Sequence, residues 1–161
     1  MRNDILSLLE RNAKLTAGEI ADYLGVEEAG VAAEIESMEK EQIICGYGAY
    51  INWSRTGSAL ATALIEVKVT PARGKGFSGI AERIYRFDEV KSVYLMSGAY
   101  DLAVIIEGRT LEEIALFVSD KLAPLESVLS TATHFVLRKY KDHGFHFYEN
   151  NDEVERMIVS P

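Results

Sequence analysis

The sequence predicts an α+β protein of two domains, in which a helix-turn-helix unit precedes a βαββαβ sandwich. Residues 1–41 carry apolar side chains at helical spacing, whereas residues 60–140 alternate between runs of strand and helix character. The stretch 54–59 between them is short, polar and contains glycine, which is typical of a linker. We therefore expect a first domain over 1–53, a linker over 54–59, a second domain over 60–148 and a tail over 149–161.

Three helices are predicted in the first domain. Apolar residues at helical spacing follow Asp4, a suitable N-cap for the first helix. Thr16 with Glu19 three residues later forms a capping box that opens the second helix, and Gly25 suits its left-handed end. A third helix over about 27–41 follows after a short turn. This arrangement is the helix-turn-helix plan.

An extended segment is predicted after the third helix. Residues 43–53 are rich in aromatic and β-branched side chains, and Gly46 and Gly48 mark bends within it. We expect a strand here that serves as a wing beside the helices and then leads to the linker.

The second domain alternates between strands and helices. Strands are predicted over 60–70, 90–97, 102–107 and 128–140, and helices over 77–87 and 110–121. The order βαββαβ specifies a ferredoxin-like sandwich, one antiparallel sheet with two helices on one face. We expect the bare sheet face to be covered by a second copy of the chain. Its candidate residues, themselves or through their neighbours, are Val93, Leu95, Val104 and Ile106.

Composition restricts the class of protein. The chain has 161 residues, 48% of them hydrophobic, and a net charge of −8, so it is folded and not suited to nonspecific binding of nucleic acid or anionic membranes. No apolar run approaches the roughly 18 residues of a membrane span. The single cysteine, Cys45, excludes an intramolecular disulfide. A cytoplasmic protein without membrane contact is predicted.

Four segments in this order resemble the Lrp/AsnC family, the feast/famine transcription regulators. They are ILSLLERNAKLTAGEIADYLGV, IESMEKEQIICGYGAYIN, SGAYDL and STATHFVLRKY, and the resemblance spans roughly residues 1–148. It implies a winged helix-turn-helix that binds DNA and a second, RAM-type domain that dimerises and often assembles into tetramers or octamers. It also implies an amino-acid effector bound at an interface between dimers.

The third helix departs from the family pattern in its charge. Residues 27–41 hold six carboxylates and one cation, and residues 1–53 hold four cations against ten acids, a net of −6. Family members usually carry arginine or lysine where this chain has Ala33, Glu34, Glu36 and Ser37. If DNA is bound, we predict that the exposed helix face meets it and that cations at the edges assist. These candidates are Glu28, Ala29, Ala32, Ala33, Arg2, Lys14 and Arg55.

The SGAYDL segment has two interpretations. One is a tight turn that needs Gly98 for its backbone. The other, which the family resemblance supports, is one wall of an amino-acid pocket, where hairpin groups hold the α-ammonium group and hydroxyls of the last strand meet the α-carboxylate. The candidate ligand residues are Ser97, Gly98, Tyr100, Asp101, Ser130, Thr131 and Thr133.

No catalytic site, metal site or cofactor is predicted. His143 and His146 lie three residues apart without a fixed third ligand, which is a weak metal pattern. Two alternatives to the regulator stay open. One is a ligand-sensing or protein-interaction oligomer that has lost DNA binding because its third helix is acidic. The other is an enzyme similar to tetrapyrrole decarboxylases, in which His134, His143 or His146 with Arg138 would bind propionates.

Overall fold

The structure, a computed structural model, describes residues 1–71, 73–74 and 76–147. The chain divides into two units, the first ending at Ile51 and the second beginning at Asn52. The tail predicted over 149–161 lies outside the described residues. The limits of the predicted linker, 54–59, stay a prediction.

The first unit contains three helices, α1 (Arg2–Arg11), α2 (Ala17–Leu24) and α3 (Glu28–Lys40). The predicted N-cap of α1 was wrong, since Met1 takes that place. The backbone N–H groups of Asp4 and Ile5 already donate to the Met1 carbonyl, at 3.1 and 3.0 Å, so Asp4 lies in the first helical turn.

The capping box and the turn of the helix-turn-helix are confirmed. Thr16 Oγ1 accepts the N–H of Glu19 at 3.2 Å, and Glu19 Oε2 accepts the N–H of Thr16 at 2.8 Å. Gly25 ends α2 with φ 65°, a left-handed conformation that glycine adopts without steric cost. The three helices enclose one small apolar core made of Ile5, Leu9, Ile20, Ala21, Val31 and Met38.

The predicted wing does not form within this chain. Residues 41–60 contain no strand, and their one regular element is a 3₁₀ turn, Trp53–Arg55. The N–H groups of Ile43 and Ile44 both donate to the Met38 carbonyl, which ends the helix. A β-strand requires a neighbouring strand to pair its N–H and C=O groups, and the described chain places none beside this segment.

The second unit has the predicted ferredoxin-like order. Its main elements are β1 (Ala61–Val69), α4 (Ser78–Tyr85), β2 (Val90–Leu95), β3 (Leu102–Gly108), α5 (Leu111–Phe117), a π-helical turn (Val118–Leu122) and β4 (Val128–Phe135). The four strands form an antiparallel sheet in the order β2-β3-β1-β4. A further short hairpin, β5 (Lys141–Asp142) with β6 (Phe145–His146), was not predicted.

The helices cover the sheet face that carries Val104 and Ile106, so of the predicted alternatives the neighbours of these residues form the open face. Val104 and Ile106 are fully buried in the core beneath the helices, and Val93 packs against that core. Because successive side chains of a strand point to opposite faces, the residues between them form the uncovered face. This open sheet face carries Leu64, Glu66, Tyr94, Ala103, Ile105, Ala132 and His134.

Candidate functional site

Arg2 connects α1 to the stripe of α3 that holds Glu34, Ser37 and Glu41. Its Nε donates to Glu34 Oε2 at 2.6 Å. Its Nη1 and Nη2 donate to the two oxygens of Glu41, both at 2.9 Å, and Nη2 also donates to Ser37 Oγ at 3.0 Å. The contact to Glu41 is therefore bidentate, the strongest geometry for an arginine and a carboxylate.

This network changes the acid–base behaviour of its members. The hydrogen bond from Arg2, helped by one from Ser37, lowers the pKa of Glu41 from 4.5 to about 2. Hydrogen bonds to Glu41 and then to Glu34 raise the pKa of the Arg2 guanidinium. Both charges are consequently present at every pH near neutrality.

Several other carboxylates of α3 also have local compensation. Lys40 pairs with Glu36, and this hydrogen bond lowers the pKa of Glu36. Tyr47 donates its hydroxyl to Glu39 at 2.8 Å. Glu28 lies against the first turn of α2, where a methyl group added to Gly18 would come within 3.3 Å of its Oε1. The positive end of a helix dipole favours an anion there.

The outward face of α3 is exposed and carries both short and acidic side chains. Glu28, Ala29, Ala32 and Ala33 are all solvent-exposed in the first unit. Lys14 is exposed in the connection between α1 and α2. Arg55 is exposed at the end of the 3₁₀ turn and belongs to the second unit.

The SGAYDL hairpin joins β2 to β3 and is fastened to the end of β1. Asp101 Oδ2 accepts the N–H of Val69 at 2.9 Å, and the Asp101 N–H donates to the Val67 carbonyl at 3.1 Å. Gly98 has φ 153°, which other residues rarely adopt, so the turn itself requires glycine. Ser97 and Gly98 are exposed, and Tyr100 is half-buried.

The hydroxyls predicted to complete the ligand site lie on β4. Ser130 pairs with Lys68 and Thr131 with Val67, so both are at the hairpin's end of the sheet, while Thr133 pairs with Ile65 further along. Ser130 is on the open sheet face, and the two threonines are on the helix side.

The hairpin and the β4 hydroxyls lie on opposite sides of strand β1. Strand β1 lies between β3 and β4, which separates the two groups by two strand spacings, roughly 10 Å. Ser130 also lies on the opposite sheet face from Thr131 and Thr133, so the three hydroxyls do not face one site within one chain.

A groove of about 470 Å³ at the other end of the sheet was not predicted. It lies between the end of β3 and α5, and its lining includes Glu89, Arg109, Glu113 and Lys121. Lys121 pairs with Glu89, which lowers the pKa of that carboxyl. Its ammonium group also lies over the rings of Phe87 and Phe117, 5.7 and 5.6 Å from their centroids. Because these groups come together only in the fold, no local pattern reveals them.

The described residues contain no group of three metal-ligating side chains close enough to bind one ion. His143 Nδ1 lies 2.8 Å from Asp142 Oδ1 in the turn between β5 and β6. None of the helices in the described part of the chain has the length and apolarity that a bilayer crossing demands.

A helix-turn-helix unit joined to a βαββαβ unit defines a class of two-domain regulators. Residues 62–144 match the family described as the Lrp/AsnC ligand binding domain. The chain is 49% identical over 159 residues to the uncharacterized HTH-type transcriptional regulator YugG of Bacillus subtilis, covering 98% of this chain and 95% of that protein. It is 29% identical over 137 residues to the HTH-type transcriptional regulator LrpA of Pyrococcus horikoshii, covering 85% and 94%. The chain belongs to the Lrp/AsnC family of transcriptional regulators.

Solved structures share the fold at lower identity. E. coli AsnC is 22% identical with a TM-score of 0.65, covering 86% of this chain and 91% of that one. The regulator NMB0573 of Neisseria meningitidis, solved as a complex with L-Met, is 22% identical with a TM-score of 0.70, covering 88% and 90%. A transcriptional regulator fits these findings better than the interaction-only oligomer or the decarboxylase-like enzyme.

Proposed function

We propose that this regulator is cytoplasmic, that it binds DNA through α2 and α3, and that this binding changes when copies of the chain hold a small molecule of the amino-acid class between them. The observation that carries the proposal is the geometry of the first unit. A capped α2, a left-handed turn at Gly25 and an exposed α3 present one helix for insertion into a major groove.

The alanines of the outward face lie beside two exposed carboxylates, Glu28 and Glu36, so this face offers contact with bases and none with phosphates. Ala29, Ala32 and Ala33 are short, and alanine side chains meet thymine methyl groups in the major groove. The carboxylates of Glu34 and Glu41 point to Arg2 and away from this face. Lys14 is an exposed cation that can contact phosphate at the edge of the unit. Two or more units in one oligomer add their weak affinities.

The divided ligand residues support a site between copies of the chain. The predicted ligand residues lie on separate strands and on both faces of one sheet, so a second copy can supply groups that one chain does not bring to one face. The complex of NMB0573 with L-Met supports an amino acid as the class of effector. We propose a homodimer formed through the open sheet face, which assembles further into tetramers or octamers.

DNA binding is tested by fluorescence polarisation of genomic fragments at low salt, about 50 mM, where electrostatic contributions are largest. We expect the wild type to bind and Ala32→Glu, which adds a charge to the outward face, to lose binding. Ala115→Glu adds the same charge at an exposed position of α5 and should bind like the wild type. Absence of binding by the wild type under these conditions contradicts the proposal.

The sensing half is tested with the twenty amino acids, by thermal shift and by the size of the oligomer. At least one amino acid should raise the melting temperature and change the distribution of oligomers, and Asp101→Asn, which keeps an oxygen for the Val69 N–H but loses the charge, should weaken both effects. If no amino acid changes either quantity, the proposed class of effector is wrong.

A further inference from the structure

We propose that Arg2 is a positioning residue that serves as the internal counter-ion of α3 and does not contact the DNA backbone. This inference rests on the proposed DNA binding. It replaces the predicted role of Arg2, a cation that contacts DNA, with a role inside the protein. Arg2 would act through Glu34 and Glu41, by offsetting one of their two negative charges and so reducing their repulsion of a nearby duplex.

The hydrogen bonds of the guanidinium carry this proposal. Four of its five N–H groups are used, one to Glu34, two to Glu41 and one to Ser37. Ser37 in turn donates to Glu41 Oε1 at 2.6 Å, which holds the second carboxylate in place. A phosphate would have to displace a bidentate carboxylate to gain similar contacts, so little would be gained by the exchange.

The position of the network on α3 gives it an effect on DNA binding. Glu34, Ser37 and Glu41 follow a spacing of three and four residues, so they form one stripe on the side of α3 that faces α1. The outward alanines lie on a different side of the same helix. A helix with its side chains is only about 10–12 Å wide, close to the screening length at physiological salt. Two uncompensated carboxylates on this stripe would therefore repel a duplex bound at the outward face.

The experiment measures how affinity for one DNA fragment depends on salt. Log affinity falls linearly as log salt concentration rises, and each phosphate contact that a protomer loses makes this slope shallower by about 0.9. The decisive variant is Arg2→Met/Glu34→Gln/Glu41→Gln, which removes the network's charges together. Arg2→Met alone leaves the two carboxylates uncompensated, and Lys14→Met removes an exposed cation as the matched control.

We expect Arg2→Met to weaken binding roughly fivefold or more at low salt, because two carboxylates lose their counter-ion. The triple variant has an uncharged network where the wild type has one cation with two carboxylates, so it should bind at least as tightly as the wild type and keep the wild-type slope. Lys14→Met reports the slope change that a lost solvent-facing cation produces in this protein.

Two results would overturn the proposal. One is a triple variant whose slope falls by about 0.9 per protomer, because that loss marks a phosphate contact. The other is an Arg2→Met variant that folds and binds as the wild type does. Circular dichroism shows whether Arg2→Met folds. If it does not fold, the salt dependence of DNA binding by the triple variant alone decides whether Arg2 contacts phosphate. A wild type that binds no DNA refutes the proposed function itself, and is thereby distinguished from a failure of this inference.

Discussion

Glu41 illustrates how a single side chain acquires unusual acid–base behaviour from its neighbours. Arg2 and Ser37 lower its pKa from 4.5 to about 2, so the folded state binds this proton more weakly than the unfolded state. The stabilisation that Glu41 provides is therefore complete above about pH 4.5 and is lost as the pH falls toward about 2.

This behaviour predicts a pH-dependent difference between the wild type and Glu41→Gln. The wild type should have the higher melting temperature near neutral pH, and the difference should shrink as the pH falls toward about 2. Thermal unfolding followed by circular dichroism measures it. In an Arg2→Met background the same substitution should cause little pH-dependent difference. A difference that is independent of pH in the wild-type background would show that the ion pair does not stabilise the unit.

Gly25 and Gly30 form a matched pair for testing backbone conformation. A methyl group added at either position meets no atom within 4 Å, but only Gly25 has a positive φ, 65°. Gly25→Ala should therefore destabilise the first unit by about 1 kcal/mol through strain. Gly30→Ala, within α3, should stabilise it by roughly 0.5–1 kcal/mol because alanine favours helix. Chemical denaturation of both variants compares the two effects, and equal changes would refute the strain argument.

Among the elements, the end of β1 depends on a side chain from the neighbouring hairpin. Asp101 accepts the N–H of Val69 where the pairing of β1 with β4 shifts register between Lys68 and Val69. Asp101→Ala should leave that N–H unpaired and cost about 1–2 kcal/mol. Asp101→Asn keeps an oxygen that can accept the same bond and should cost less. Urea denaturation, followed by a signal from the second unit, measures the free energy of unfolding of both variants. Equal losses of stability in the two would show that the hydrogen bond does not stabilise the unit.

Local patterns predicted the elements whose causes are local. The capping box at Thr16, the turn at Gly25 and the βαββαβ order all follow from residues a few positions apart. The prediction of Asp4 as the N-cap of α1 was wrong because Met1 can act as N-cap through its backbone alone. The prediction of a wing strand over residues 43–53 was wrong because an extended sequence forms a strand only if another strand pairs with it.

The sites were harder to predict because their contacts are distant in sequence. Glu34 and Glu41 lie 32 and 39 residues beyond Arg2, so no helical or strand spacing connects them. The sequence pattern leaves open whether Val104 and Ile106 or their neighbours form the open sheet face, because a shift of one residue exchanges the two faces of a strand. The family resemblance correctly gave the class of protein, although the individual site residues stay predictions.

For the whole molecule, the open sheet face predicts the route of assembly. Tyr94 is 53% exposed on this face, and Leu64 and Ile105 lie beside it. Ile105→Lys should shift the protein from dimer to monomer, because a charge would be placed in the proposed interface. Light scattering after size-exclusion chromatography measures the mass. Leu111→Lys, at a 55% exposed position on α5, is the matched control and should leave the mass unchanged. A dimer that persists in Ile105→Lys would place the interface elsewhere.

Strand β1 has a mechanical consequence for such an assembly. Its nine residues span roughly 30 Å, from Ala61, which the chain reaches after leaving the first unit, to Val69, which Asp101 holds. β3 and β4 pair with it on both sides, so the strand resists bending and moves as one rigid element with the sheet. Because the strand cannot slide between its paired neighbours, a ligand at the SGAYDL hairpin can move the peptide before Ala61 only by moving the whole sheet. Lengthening that peptide, and not stiffening the sheet, is the change that should uncouple the proposed sensing from the proposed DNA binding.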